Sequence, residues 1–199
     1  ERNEITDSGA GLTTFETDNI QFRENEIHDM DESASNTVGI QLEAFVTNAT
    51  VVDNDIWNLS EGVYVEGTNT GGEIARNDID AEYGVWVDRA DVPAVEIHHN
   101  DLSESNTSLG SGLDTTLRAT MNYHGERAGN RSFVSGDVVY EPFLTAPPEA
   151  VNTTDPSRFG IDLTLAADEV YSVSVPGPTD QTVADIFSGG FEGAVYGFD

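Results

Sequence analysis

The chain has 199 residues, 37% of them hydrophobic, and 37 acidic residues against 8 basic ones give a formal net charge of −29. This hydrophobic content excludes a disordered acidic tail, and the length predicts one main domain plus a smaller one. Nucleic acid is excluded as a partner, because binding it requires Lys and Arg to neutralise phosphates. With no Cys and no apolar stretch of about 18 residues, we expect neither disulfides nor membrane contact by this segment.

The charge balance indicates a high-salt environment. At low salt such a charge repels itself, whereas in molar salt the screening length falls to about 3 Å. An acidic surface then keeps the protein soluble. The composition, with Arg but no Lys, resembles that of proteins from salt-accumulating haloarchaea or their viruses. The resemblance implies that bulk K⁺ or Na⁺ stabilises the fold, and we predict no organic cofactor.

A short Asn–acid–aliphatic unit recurs from the first residues onward, at intervals of about 23 residues. The unit begins at Asn3, Asn25, Asn54, Asn77 and Asn100. Its aliphatic residue is Ile5, Ile27, Ile56, Ile79 or Leu102. Gly-apolar-x-apolar runs follow the middle units at 39–42, 62–65 and 84–87, and Gly112-Leu113-Asp114 begins the pattern once more.

These patterns predict stacked coils. Alternation with period two indicates strands, and strands of so few residues bury a face only when successive coils share one core. Coils would lie about 4.8 Å apart, with the aliphatic residues as an interior ladder. Asn tolerates the left-handed conformation of a sharp bend, and its amide can bond to the amide stacked above it. Longer turns at 28–38 and 103–111 are candidate binding loops or plain surface insertions.

Over about residues 1–150, the repeats resemble the parallel β-helix superfamily of secreted carbohydrate-acting and copper-maturation proteins. The most specific part is the closing segment, 117–125 followed by 136–144, which resembles an Asn-aromatic-aromatic-Gly turn and a last Tyr-x-Pro-aromatic-Leu strand. His124 departs from this pattern by replacing the second aromatic residue. The resemblance implies an all-β, right-handed parallel β-helix of about five coils, while the functions of the superfamily are too varied to transfer.

The predicted domains follow from these boundaries. The β-helix occupies residues 1–145, with its closing cap at 113–145, and a linker covers 146–156. Residues 157–199 form a small, incomplete β-rich module with strands at 159–165 and 170–175. A short helix from Thr179 or Asp180 to about Ser188 would end at Gly189-Gly190.

Aligning the Gly-started strands predicts two outward columns. One column holds Thr13, Gln41, Tyr64, Trp86 and Asp114, and the other holds Glu43, Glu66, Asp88 and Thr116. Stacked aromatics beside acids suit sugar rings or cations, so Gln41, Tyr64, Trp86 and Asp114 are the predicted ligand-binding residues. Ordinary packing under a loop or the C-terminal module is the alternative. We predict no catalytic residues; if the protein is an enzyme, Glu66, Asp88 and Arg89 are the candidates.

A column of stacked acids follows from the repeat unit: Glu4, Glu26, Asp55, Asp78 and Asp101. Like charges about 5 Å apart repel unless cations lie between them. We predict no dedicated metal site and favour diffuse cations at Asp55, Asp78 and Asp101 over bound Ca²⁺. No spacing brings His28, His98, His99 and His124 together as zinc or copper ligands, so solvated or turn histidines are expected.

Sequons at Asn48, Asn58, Asn106, Asn130 and Asn152 predict a glycosylated, extracellular protein. The first functional hypothesis is an extracellular structural or adhesion segment of a halophile cell surface or virion, with surface glycans or other surface proteins as partners. The alternative is a polysaccharide-active enzyme: a lyase, an epimerase or a hydrolase. A metal-handling β-helix is a further alternative.

Overall fold

The computed structural model describes residues 2–30, 36–67, 70–88, 95–127, 133–148 and 159–160. The elements with defined bounds in these ranges are β-strands and the 3₁₀ turn η1 (Gly125–Arg127). None of the described residues belongs to a helix long and apolar enough to cross a membrane. The predicted helix ending near Ser188, most of the predicted linker and nearly all of the predicted C-terminal module lie outside the described residues.

Two parallel sheets form the walls of a solenoid of about five coils, which confirms the predicted fold class. The first sheet contains β1 (Glu4–Ile5), β2 (Ala10–Thr14), β4 (Glu26–His28), β5 (Val38–Leu42), β7 (Asp55–Glu66), β9 (Asp78–Asp88), β11 (Thr107–Ser111) and β13 (Val134–Ser135). The second sheet contains β3 (Gln21–Arg23), β6 (Thr47–Val52), β8 (Thr70–Ala75) and β10 (Glu96–His98).

The later coils end in shorter strands. Parallel β12 (Leu117–Arg118) and β14 (Val138–Val139) form a pair, and β15 (Phe143–Leu144) pairs antiparallel with β16 (Phe159–Gly160). Among the described strands every other pairing is parallel, as expected when each coil adds to the one before it.

The predicted Asn column is confirmed as a continuous amide ladder. From Asn3 to Asn100, each side chain donates from Nδ2 to Oδ1 of the Asn on the next coil at 2.8–2.9 Å, and the ladder extends to Asn122. The backbone N–H of Asn54 also donates to Oδ1 of Asn77 at 3.1 Å. The rungs from Asn25 onward are buried, so the ladder satisfies polar groups that water does not reach.

The prediction that Asn itself adopts the left-handed conformation is wrong. That conformation belongs to the residue before each Asn, namely Glu24, Asp53, Arg76, His99 and Met121, with φ between 54° and 62°. The Asn side chain reaches back to close the bend, as Asn54 Nδ2 does to the carbonyl of Val52 at 3.1 Å. Because the ladder holds the bend, Glu, Arg and Met, which rarely adopt positive φ, occupy it at three of these five positions.

The interior aliphatic ladder is confirmed. Ile5, Ile27, Ile56 and Ile79 are successive register partners, and Leu102 is buried on the next coil. A column of glycines runs beside the ladder: Gly11, Gly39, Gly62 and Gly84. A Cβ on Gly39 would lie 2.8 Å from Ile56 Cγ2 and 2.7 Å from the carbonyl oxygen of Gly62. Glycine is therefore required by the close approach of the next coil.

His124 occupies the sixth position of the aliphatic ladder. Tyr123 bridges to Asp101 on the coil before it, so the following residue stacks next to Leu102. The His124 side chain is fully buried, with its ring centroid 4.4 Å from that of Phe133. The interpretation of His124 as a solvated or turn histidine is wrong, because the rings of Phe133 and Tyr140 pack against it.

The predicted register of the fifth coil is also wrong. The strand is β11 (Thr107–Ser111), so the segment predicted as a long turn at 103–111 is largely strand. Gly110 is the register partner of Trp86. The repeat pattern missed this strand because Ser108 occupies the position of glycine in the other coils. Gly112-Leu113, further along the chain, matches the Gly-apolar pattern by which the other strands start.

Candidate functional site

The candidate site is an outward surface of the first sheet that spans three consecutive coils. Gln41 pairs in register with Tyr64, and Tyr64 pairs with Trp86. All three side chains are half-buried. Two residues further along each strand lie the carboxylates, and Glu66 is the register partner of Asp88. We call these residues the strip: Gln41, Glu43, Tyr64, Glu66, Trp86 and Asp88.

The Trp86 ring is held in position by contacts with Gly110 and Tyr83. It lies over Gly110, where a Cβ would overlap the six-membered ring and lie 3.0 Å from Cδ2. Tyr83 packs edge-on against the ring, with centroids 5.2 Å apart and planes at 82°. Neither Gly110 nor Tyr83 was predicted as part of the site. The role of Gly110 depends on the register of the fifth coil, and Tyr83 contacts Trp86 from three residues earlier on the same strand, which the alternation pattern does not indicate. An indole fixed in this way suits stacking on the apolar face of a sugar ring.

Carboxylates surround the aromatic rings. The Tyr64 hydroxyl donates to Asp88 Oδ2 at 3.4 Å, which links two coils of the strip. Glu61 is the register partner of Tyr83. Burial raises the pKa of the Glu61 carboxyl; a hydrogen bond from Asn36 opposes this rise, and the charge of Glu82 adds to it. The surface therefore offers hydrogen-bond acceptors beside its aromatic faces.

Two predicted members do not join the strip. Asp114 is exposed in the bend after β11, and Gly110 occupies the position expected for it. Thr116 is exposed and donates to Asp137 Oδ2 at 2.7 Å. Thr13 does pair with Gln41, and it lies on the coil before the strip. Arg89 lies outside the described residues.

The predicted acidic column is confirmed as a stack. Glu4, Glu26, Asp55 and Asp78 are successive register partners, and Asp101 bridges to Asp78. Burial raises the pKa of Asp55, and the neighbouring Glu26 charge adds to the effect. In the ranges that the structure describes, no three or more His, Asp or Glu side chains are grouped so as to hold a metal ion. Mobile cations between the carboxylates stay our prediction.

His28 lies beside this column. Its ring stacks on Trp57, with centroids 4.2 Å apart and planes at 3°. Nδ1 is 3.0 Å from Asp29 Oδ2, and because a carboxylate only accepts, Nδ1 carries the proton. Nε2 faces Glu4 and Glu26 at 3.7 and 3.9 Å. The bond to Asp29 is the main cause that raises the pKa of His28. The sequence pattern did not predict this cluster.

A concave region, separate from the strip, lies at the stacked Asn bends. It is a cleft of about 570 Å³ whose lining includes Asp53, Arg76, Asp78, His98, His99 and Asp101. Some of its side chains have partners: Arg76 binds Asp53 at 2.9 Å, and His98 Nε2 is 3.6 Å from Glu73. The imidazoles of His98 and His99 share a hydrogen bond at 2.8 Å. Because this internal pairing competes with a ligand, the strip is the stronger candidate.

The predicted sequons divide into two groups. Asn48, Asn58 and Asn106 are exposed, whereas Asn130 and Asn152 lie outside the described residues. Asn58 Nδ2 donates to Asp29 Oδ1 at 2.6 Å, and Asn48 Nδ2 donates to Asn19 Oδ1 at 3.3 Å. Their use as glycosylation sites stays a prediction.

The stability of the protein is predicted to depend on pH in opposite directions through His28 and His99. The pKa of His28 is raised, so its stabilising contribution is full below about pH 6.5 and is lost as the pH rises through its folded pKa. Burial, followed by the charges of His98 and Arg76, lowers the pKa of His99, so stability is lost as the pH falls through the window below about 6.5.

We therefore expect the loss of Tm in His28→Gln to shrink as pH rises, and that in His99→Asn to grow. Thermal melts of both variants and the native protein across about pH 5 to 8 measure these slopes. Parallel slopes in all three proteins would contradict the assignment.

Stacked parallel coils, a buried amide ladder and an outward aromatic–acid surface define a parallel β-solenoid protein with a candidate binding face. A family model described as the right-handed beta helix region matches residues 1–125. The chain therefore belongs to the right-handed β-helix family. It matches no curated protein and no solved structure.

Proposed function

We propose that this protein is an extracellular scaffold or adhesion segment of a halophile cell surface or virus particle, and that the strip binds surface glycans. The supporting observation is the Trp86 ring over Gly110, one coil from Tyr64 and beside Glu66 and Asp88. Aromatic faces stack on sugar rings, and carboxylates accept hydrogen bonds from sugar hydroxyls. The stacked coils supply the rigid support that such a site needs.

A glycan array in molar potassium chloride tests this proposal. We expect the native protein to bind at least one class of glycan and Trp86→Ala to lose about ten-fold or more in affinity, because the ring supplies most of the apolar contact. Trp57→Phe is the matched control, since Trp57 stacks on His28 away from the strip. Equal binding by Trp86→Ala, or no binding by the native protein, would contradict glycan recognition by the strip.

The halophilic part of the proposal rests on the acidic column. Asp55 stands between Glu26 and Asp78, and its pKa is raised. We expect Asp55→Asn to stabilise the protein by up to about 1 kcal/mol at low salt and to change little in molar potassium chloride, where the repulsion is screened. Asp114→Asn, an exposed position outside the column, is the control. Urea unfolding at both salt concentrations measures the difference. A gain that is independent of salt would count against repulsion within the column.

A polysaccharide-active enzyme is the second candidate. The observation that favours it is the pairing of Glu66 and Asp88 on adjacent coils. The coil spacing of about 4.8 Å is close to the separation of about 5–5.5 Å between the two carboxyls of retaining glycosidases. New reducing ends or unsaturated products from a bound glycan, abolished in Glu66→Gln or Asp88→Asn, would favour the enzyme. Binding without any product favours the scaffold.

A further inference from the structure

We propose that the strip selects linear, uncharged, hydroxyl-rich glycans and rejects polyanionic ones, with the sugar chain lying parallel to the axis of the β-helix. This inference rests on the proposed function, and it adds the chemical class of the ligand and its direction. It is carried by the register of the strip and by the identity of its ionisable side chains.

The register of the strip residues determines the direction in which the sugar chain lies. Gln41, Tyr64 and Trp86 are register partners on successive coils, so they follow the axis and cross the strands. Coils lie about 4.8 Å apart, which is close to the length of one sugar unit in an extended β-linked chain. A glycan parallel to the axis therefore presents one sugar to each of these side chains. A glycan lying along a single strand would meet Tyr64 or Trp86 but not both.

The ionisable groups of the strip determine the chemical class of glycan that it binds. Within the strip, all of whose residues the structure describes, the ionisable side chains are the carboxylates Glu43, Glu66 and Asp88 and the phenol of Tyr64, whose hydroxyl already donates to Asp88. An ionised carboxylate offers acceptors alone, so it takes hydrogen bonds from hydroxyls. A uronate or a sulfate group brings only acceptors to these carboxylates. The anionic group of the glycan and the carboxylate of the strip would then both lose their hydrogen bonds to water without gaining new ones.

High salt does not remove this selection. Long-range repulsion between the strip and an anionic glycan is screened in molar salt. The mismatch of acceptor against acceptor acts at contact distance, and screening ions supply no hydrogen-bond donors in place of those that a uronate lacks. We therefore expect the strip to prefer uncharged glycans in molar salt as well, the condition that the net charge of the chain indicates.

Calorimetric titration in molar potassium chloride tests the inference with two probes of equal length, cellohexaose and hexagalacturonate. We expect cellohexaose to bind at least about ten-fold more tightly. In the double variant Glu66→Gln/Asp88→Asn the difference should narrow, because amides donate as well as accept. Circular dichroism of the variant shows whether it folds, and the two single substitutions serve if it does not.

Two results overturn the inference. Equal or tighter binding of hexagalacturonate would do so while leaving the proposed function intact, and so would a double variant that discriminates as strongly as the native protein. If neither probe binds, the inference fails, and the glycan array with Trp86→Ala decides the proposed function separately.

Discussion

Replacing Asn77 by Ala is expected to lower the free energy of unfolding by about 3–5 kcal/mol in molar potassium chloride. Asn77 Oδ1 accepts from Nδ2 and from the backbone N–H of Asn54, at 2.8 and 3.1 Å. Its Nδ2 donates to Oδ1 of Asn100 at 2.8 Å and to the carbonyl oxygen of Val51 at 2.9 Å. Ala removes all four bonds and leaves their buried partners unsatisfied, which is the costly way to lose a hydrogen bond.

Asn3→Ala is the matched control, because Asn3 is exposed and water can replace the bond that its Nδ2 donates to Asn25. We expect it to cost about 1 kcal/mol or less. Urea unfolding followed by circular dichroism gives both values. If the two substitutions cost the same, the ladder is not a main source of stability.

The second large effect is expected at Gly62. Gly is usually unfavourable in a strand, so backbone propensity alone predicts that Gly62→Ala stabilises the protein. The structure predicts the opposite sign, because a Cβ at this position would lie 2.6 Å from the carbonyl oxygen of Gly84 and overlap Cγ2 of Ile79. Such overpacking costs about 1–3 kcal/mol.

A double-mutant cycle separates the two contacts. Ile79→Leu removes the Cγ2 methyl, so Gly62→Ala should cost less in that background, although the contact with the Gly84 carbonyl persists. Gly112→Ala is the control, since this glycine is exposed and its Cβ would meet only the flexible end of Asp88, at 2.5 Å. A stabilising Gly62→Ala would show that adjacent coils are less closely packed than described.

The axial stacking was predictable because the repeat unit combines three different requirements. Asn satisfies buried backbone groups, the aliphatic residue fills the interior, and the acid points outward, so the register of the first four coils, and of the Asn unit in the fifth, follows from the sequence. The Asn, aliphatic and acidic columns and the Gln41–Tyr64–Trp86 surface are all confirmed in position. Their functional roles stay predictions.

The remaining features depend on contacts that no local pattern records. Ser108 replaces the glycine of its column, so the fifth coil was misplaced and Asp114 was assigned to a position held by Gly110. His28 stacks on Trp57 across the coil between Asn25 and Asn54, which is longer than the others, so the regular repeat interval does not align the two residues. The left-handed residues before these Asn residues include a Glu, an Arg and a Met, types without a preference for that conformation.

Engineered disulfides test the stacking most directly, because the chain has no Cys of its own. Glu66 and Asp88 are register partners, and a spacing of about 4.8 Å lies within the Cα range of about 4.4–6.8 Å for disulfides. We expect Glu66→Cys/Asp88→Cys to oxidise to a disulfide in the folded protein. Glu43→Cys/Asp88→Cys, two coils apart, should stay reduced. Oxidation of the second pair but not the first would contradict the stacked-coil register.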